Sequence, residues 1–411
     1  MKINRHILDN GLRLVHSQDE STQMVALNVL YNVGARDEHP EHTGFAHLFE
    51  HLMFGGSAHI PDYDTPLQLA GGENNAWTNN DITNYYLTVP KPNVETAFWL
   101  ESDRMLELAF SEQSLEVQRG VVMEEFKQRC LNQPYGDVGH LFRPLAFRVH
   151  PYRWPTIGKE LSHIEQATLD EVKSFFYRFY APNNAVLAVT GNISWDETVK
   201  LTEKWFAPIP RRDVPVRQLP QEPEQTQERR LTVERNVPLD ALFMGYHMCS
   251  REGADYYAFD ILSDILSNGR SSRLNRRLVQ EQNIFSGIDA YISGTRDAGL
   301  LQISGKPAAG VSLEQAEAAV RKELEELQRS PVDGQELEKV KNKFESTQIF
   351  GNINYLNVAT NLAWFELTGK AEDIDLEVER YRSVTTEQLH TVAQRTFCES
   401  NAVVLYYKSD K

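Results

Sequence analysis

The sequence predicts an α+β fold built from two homologous units, each layering strands against helices. Three observations carry that prediction. Strand patterns open and close each half of the chain, with long helical patterns between them. A segment recurs: TLDEVKSFFYRFYAPNNAV (168–186) and TTEQLHTVAQRTFCESNAV (385–403) align at a constant offset of 217, with Thr168, Arg178, Asn184, Ala185 and Val186 meeting identical residues. Each copy is a helix pattern followed by a strand pattern, the mark of a duplicated unit. Between the copies lie Pro208, Pro210, Pro215, Pro220 and Pro223 among Gln and Glu, a composition that suits an extended, solvated linker. The expected organisation is a first domain over 1–209, a linker over 210–229 and a second domain over 230–411.

The elements follow in order. The N-terminus reads as a strand, a turn at Asp9-Asn10-Gly11 and a second strand from Leu12 to His16. Val25 to Val33 and Asn184 to Thr190 read as strands. Val94 to Leu108, Ser114 to Arg129 and Leu169 to Phe179 read as helices. In the second half the strands are Arg230 to Val237, Ala241 to Met248, Asp289 to Ser293 and Leu300 to Ser304. The helices are Leu313 to Gln328 and Gln335 to Phe350.

Composition narrows the function. The chain has 411 residues, 41% hydrophobic and 24% charged, enough for large cores. Its net charge of −16 argues against nucleic acid or an anionic membrane as the main partner. No apolar run approaches the roughly 18 residues of a membrane span. Cys130, Cys249 and Cys398 are too sparse for a disulfide framework. A cytoplasmic location is expected, or a periplasmic one if this is a trimmed mature form.

The most informative stretch is His47-Leu48-Phe49-Glu50-His51. Phe45, Leu48, Phe49, Leu52 and Met53 recur at three- and four-residue spacing, so the stretch reads as a helix, with Thr43 as its N-cap and Gly55-Gly56 as its stop. His47 and His51 then share a face one turn apart, with Glu50 beside them. Two imidazoles at that spacing can take two corners of a tetrahedral zinc site, and the carboxylate can accept a proton from a metal-bound water. An ordinary exposed helix face can carry the same residues. A third ligand is needed, and Glu124 and Glu125 in SEQSLEVQRGVVMEEFKQ are the candidates. They face directions about 100° apart, and periodicity alone does not choose between them.

Here the chain resembles the pitrilysin-like, M16 metallopeptidases. His47, Glu50 and His51 match the family's His-x-x-Glu-His element, and Glu125 matches the glutamate some seventy-odd residues on. Further likenesses are Gly71 to Asp81 with Thr83-Asn-Tyr-Tyr86, His150-Pro-Tyr152, Ala181-Pro-Asn183 and Gly191-Asn192. The size and single duplication are similar to the small two-domain members, such as the subunits of the mitochondrial processing peptidase. The resemblance implies a clamshell in which two such chains enclose a chamber. It implies one Zn²⁺ per chain, held by His47, His51 and Glu125, with Glu50 as general base. It places Asn75 and Ala76 on a strand that holds peptide substrate by β-augmentation, although the Asn-rich run also suits a turn.

Two positions depart from the family. A glutamate seven residues before the ligand glutamate is replaced by Gln118, an amide that can still orient a ligand. Active relatives also use an arginine and a tyrosine from the second half. Arg273, in Ser271-Ser-Arg-Leu274, matches the arginine. The tyrosine position aligns with Phe285, which cannot donate a hydrogen bond, unless Tyr291 is the true match. In the second half, the helix corresponding to the motif helix is Ala258 to Leu266, which offers Asp and Ser in place of His, Glu and His. The expected function is a zinc endopeptidase acting on unfolded peptides. The alternatives are a catalytic subunit inactive without a partner and a non-catalytic peptide-binding scaffold. The expected partner is a second copy or a related non-zinc chain.

Overall fold

The computed structural model describes residues 1–410. The first half of the chain runs β1 (Asn4–Ile7), β2 (Arg13–Gln18), β3 (Met24–Tyr31), α1 (Phe45–Leu52), α2 (Asp64–Leu69), β4 (Glu73–Thr78), β5 (Thr83–Pro90), α3 (Val94–Leu106), α4 (Glu112–Phe126), α5 (Val138–Ala146), α6 (Leu161–Glu165), α7 (Leu169–Phe179), β6 (Ala185–Gly191) and α8 (Trp195–Phe206). The second half runs β7 (Arg229–Arg235), β8 (Ala241–Met248), α9 (Tyr256–Ser267), β9 (Phe285–Ile292), β10 (Gly299–Pro307), α10 (Leu313–Arg329), α11 (Gly334–Gly351), α12 (Tyr355–Thr368), α13 (Glu377–Ser383), α14 (Thr386–Thr396) and β11 (Ala402–Ser409).

Strand order makes the duplication explicit. One sheet is β1-β2-β6-β3-β5-β4 and the other β7-β11-β8-β10-β9. With β1 set aside, the two orders correspond strand for strand. In each, the first neighbours (β2 with β6, β7 with β11) are parallel and the remaining pairs antiparallel. The repeated helix–strand segments are α7–β6 and α14–β11. Both helices start with a capping box, Thr168 with Glu171 and Thr385 with Gln388.

The packing units are not contiguous in sequence. One comprises Met1–Leu131, Trp154–Leu219 and Ile349–Leu376, and the other Asn132–Arg153, Pro220–Gln348 and Glu377 to the C-terminus. Each half of the chain therefore gives one helix to the other unit: α12 covers a face of the first sheet, and α5 a face of the second. In the first unit, Leu14, Leu27, Val29, Leu87 and Val189 pack under Phe45, Phe49, Phe98 and Phe176. The intervening residues Val15, Ala26, Leu30, Val186 and Ala188 pack under Val358, Leu362 and Leu367 of α12. Alternate side chains of a strand point to opposite faces, so a sheet covered on both sides reads as continuous apolar runs. In the second unit, Phe142 and Ala146 of α5 play the covering role against Leu300, Val403 and Leu405.

The proline-rich stretch is irregular, as expected, yet it is strapped down rather than solvated. Arg212 donates to the carbonyls of Tyr180 and Leu106, both at 2.6 Å, and Arg217 pairs with Asp37. Glu222 accepts the backbone N–H groups of Arg148, Val149 and His150, and Gln225 donates to Ala402. In local sequence the first strand of the hairpin β4–β5 suits a turn as well as a strand, because it is Asn-rich. Strand β9 starts at Phe285, four residues earlier than its sequence pattern suggests.

The covering role of α12 is testable. Leu362 is fully buried and Phe350, near the end of α11, is 69% exposed. Leu362→Ala is expected to cost about 2–5 kcal/mol, and Phe350→Ala at most about 0.5 kcal/mol, both read by chemical denaturation.

Candidate metal centre

Helix α1 forms where the spacing predicts it. Phe45, Leu48, Phe49 and Leu52 make a buried stripe, which leaves Glu50 and His51 half-buried beside it. Thr43 is not its N-cap. That residue is turned away: its hydroxyl meets His163 Nδ1 at 2.8 Å and accepts the Lys159 N–H at 2.8 Å. The N-cap is Gly44, at φ +87°, and it offers no side chain for capping. At the other end the helix stops before Gly55-Gly56 as expected, with the Gly55 N–H on the Leu52 carbonyl and Gly56 at φ +99°.

Helix α4 packs against α1 and settles which glutamate faces the histidines. Glu125 Oε2 lies 3.5 Å from His47 Nε2 and 3.4 Å from His51 Nε2. Glu124 points to solvent, where it pairs with Lys127 at 2.6 Å. The other oxygen of Glu125 is held by Arg129 at 2.9 Å, one turn on, where α4 continues as a π-helical turn over Lys127–Leu131. Arg129 was missed in the sequence, though an acid–base pair at i, i+4 is a readable signal.

His47, His51 and Glu125 are the only candidate metal cluster among the described residues, with ligand atoms all within 4.8 Å of one another. Their separations fit an ion. Zinc-to-ligand bonds of about 2.0–2.2 Å put tetrahedral ligands about 3.3–3.5 Å apart, which is the spacing of Glu125 from each imidazole. It is longer than a good N–H···O hydrogen bond. Burial pushes the His47 imidazole down to about 4, outweighing the neighbouring Glu125, so the ring is neutral, the protonation state a metal ligand needs. The close contact with His51, followed by the His47 and Arg129 charges, holds Glu125 below the usual carboxylate range. His47 Nδ1 is buried without a hydrogen-bond partner, so no second contact fixes the tautomer of that ring.

Glu50 sits on the same turn of α1. Burial pushes its carboxyl up, and the Thr78 hydroxyl at the end of β4 opposes part of that rise. Strand β4 is an edge, paired only with β5. Asn75 and Ala76 lie in it, with the Ala76 N–H on the Asn75 side-chain oxygen at 2.8 Å. The strand reading of these residues therefore holds over the turn reading. Gln118 is half-buried on α4, two turns before Glu125 and on the same side of the helix.

The second-half residues lie in their own unit. Arg273 is gripped by Glu336, with Nη2–Oε2 at 2.7 Å and Nε within 3.2 Å of both oxygens. Phe285 is a fully buried core residue against Gly305, and Tyr291, on the same strand, is 48% exposed. An accessible hydroxyl on β9 is thus at 291 and not at 285.

The contrast between adjacent glutamates generates a prediction. Glu125→Gln is expected to abolish stoichiometric zinc binding and Glu124→Gln to leave it intact, as measured by metal analysis after dialysis.

Comparison with known proteins agrees with the fold. Residues 13–137 match the family profile described as insulinase (peptidase family M16), and residues 166–344 the one described as peptidase M16 inactive domain. The chain is 27% identical over 407 residues to the zinc protease PqqE of Helicobacter pylori, covering 98% of this chain and 91% of that protein. It is 25% identical to an uncharacterized zinc protease, YmxG, of Bacillus subtilis, covering 98% of each. A crystal structure of a protease from Helicobacter pylori superposes with a TM-score of 0.92 at 26% identity, covering 99% of both chains. A structure described as a peptidase M16 inactive domain, from Pseudomonas fluorescens, shares the fold with a TM-score of 0.89 at 16% identity. Two matching family profiles, full-length relatives named zinc proteases and a shared two-unit fold make this chain a member of the two-domain M16 peptidase family.

Proposed function

We propose that this chain is a zinc-dependent endopeptidase that cuts unfolded peptides, with one Zn²⁺ per chain held by His47, His51 and Glu125 and with Glu50 as general base. The convergence of three ligand atoms within 4.8 Å of one another, with Glu125 at tetrahedral spacing from both imidazoles and Glu50 on the same turn of α1, carries this reading. When bound, zinc supplies a Lewis acid for the scissile carbonyl and lowers the pKa of a coordinated water toward about 7. The protein's own part is positional. The two Nε2 atoms and Glu125 Oε2 form the cradle. The Glu50 carboxylate takes a proton from the attacking water and returns it to the leaving amine, and burial shifts it toward the pKa such a group needs. The free edge of β4, at Asn75 and Ala76, suits a peptide added as a further strand. Gln118 supports α4 near the ligand as an uncharged neighbour.

A second reading is favoured by the state of Arg273 and Phe285. Arg273 is paired with Glu336 and Phe285 has no hydroxyl, so a partner chain would supply the oxyanion contacts. On that reading the working form is a chamber made with a related non-zinc chain. On the first it is a homodimer. The net charge of −16 disfavours nucleic acid as a partner, and among the described residues no helix is long and apolar enough to cross a membrane. The sparse, widely spaced cysteines suit the cytoplasm.

Cleavage of a quenched peptide of about 20 residues by the zinc-loaded chain tests the proposal. Glu50→Gln is expected to keep stoichiometric zinc and lose about 10²–10⁴-fold in turnover. Wild-type turnover without a partner would sink the second reading. Bound zinc with no turnover by the chain alone would sink the homodimer. Tyr291→Phe is expected to lower kcat about 10²–10³-fold if that hydroxyl serves the oxyanion, and unchanged kcat would remove it from the site.

A further inference from the structure

The motif helix begins at a residue that cannot cap it. At Gly44 a Cβ would meet Ile164 Cδ1 at 2.7 Å and the Ile157 carbonyl at 2.9 Å, and φ is +87°. Glycine is required there, yet the first turn of a helix leaves backbone N–H groups without partners. Two of those groups are met from outside. Glu38 Oε2 accepts the Gly44 N–H and Oε1 the Ala46 N–H, both at 2.9 Å. Glu38 is buried, at 6% exposure, and nothing in the sequence marks it out.

Glu38 is itself held firmly. It follows a short 3₁₀ turn, Ala35–Asp37, that is gripped on several sides. Trp154 Nε1 donates to the Ala35 carbonyl at 3.0 Å. The N–H groups of Ala35 and Arg36 donate to the carbonyls of Asn79 and Asn80 at 3.1 and 2.9 Å. Arg36 pairs with Asp81 at 3.1 Å, and Asp37 with Arg217. The carboxylate is therefore a two-pronged acceptor on a fixed base, aimed at the positive end of α1.

We propose that Glu38 is a positioning residue of the metal centre, setting the rotation of α1 and through it the aim of His47 and His51. The proposal rests on reading the triad as a metal site. His47 directly follows the capped Ala46 N–H. A side chain reaches about 5–6 Å from the helix axis, so a rotation of about 10° moves its tip by about 1 Å. Metal bonds tolerate only about 0.2 Å. A capping carboxylate that limits this rotation controls metal affinity without touching the metal.

The test is zinc affinity, by competition with a chromophoric chelator, for wild type, Glu38→Gln and Glu38→Asp, with the Co²⁺ ligand-field spectrum as second readout. Burial pushes the Glu38 carboxyl up, to about 8, against the pull of its two N–H donors, so the titrations are run above that value. Glu38→Gln is expected to weaken zinc about 10–100-fold and to alter the Co²⁺ spectrum. Leu362→Ala serves as the control, because a purely structural loss of stability would leave its affinity unchanged. Should Glu38→Gln not fold, Glu38→Asp keeps the charge and is read instead. Amide exchange of Ala46 in the metal-free wild type is independent of any variant: protection is expected, and rapid exchange overturns the proposal. Unchanged affinity and spectrum in a folded variant also overturn it. A wild type that binds no zinc would instead sink the metal reading itself.

Discussion

The site depends on how one eight-residue helix is seated. The pitch of an α-helix places two imidazoles four residues apart on one face, but it says nothing about where that face looks. Seating comes from both sides of α1. Phe45, Leu48, Phe49 and Leu52 key it into the core beneath, and Glu38 holds its first turn from outside the helix. Once α1 is fixed, the position of α4 decides everything else about the cradle. Its Glu125 meets both Nε2 atoms while Glu124, one residue earlier, stays in water.

Beneath α1, the sheet of the first unit is stiffened by cover on both faces. The cover comes from distant sequence: α12, more than two hundred residues after α1, lies on the face that the first half leaves bare. The same device recurs in the second unit with α5. A duplicated unit that lends out a helix cannot close its own core, so each unit needs residues from both halves. The linker follows the same logic. Arg212 and Arg217 anchor its first part in one unit, and Glu222 and Gln225 its last part in the other.

The second unit keeps the architecture without the chemistry. Its helix α9 occupies the place of α1 between strand and hairpin, but Asp260 there accepts a hydrogen bond from Tyr381 and Asp264 one from Asn268. These are structural uses of polar side chains, satisfied within the unit, with no imidazole to bind a soft or borderline metal. Phe285 is likewise a packing residue against Gly305, where a side chain larger than hydrogen has no room. Tyr291 differs because it is 48% exposed.

Local sequence determined much of this protein. The apolar period located α1, α3, α4, α7 and α10, and the constant offset revealed the duplication. His47, Glu50 and His51 were legible because one helix turn brings them together without outside help. Tertiary structure decided what depends on distant contacts. Periodicity alone did not choose between Glu124 and Glu125; the family resemblance pointed to Glu125, and the packing of α4 on α1 brings it to the histidines. Glu38 was invisible because its role is to accept backbone N–H groups, which leave no trace in side-chain pattern. The exchange of α5 and α12 was invisible because an amphipathic helix records that it has an apolar face but not which sheet covers it. Strand β4 was ambiguous in local sequence because its Asn-rich residues favour turns when isolated, and the pairing with β5 decides for the strand.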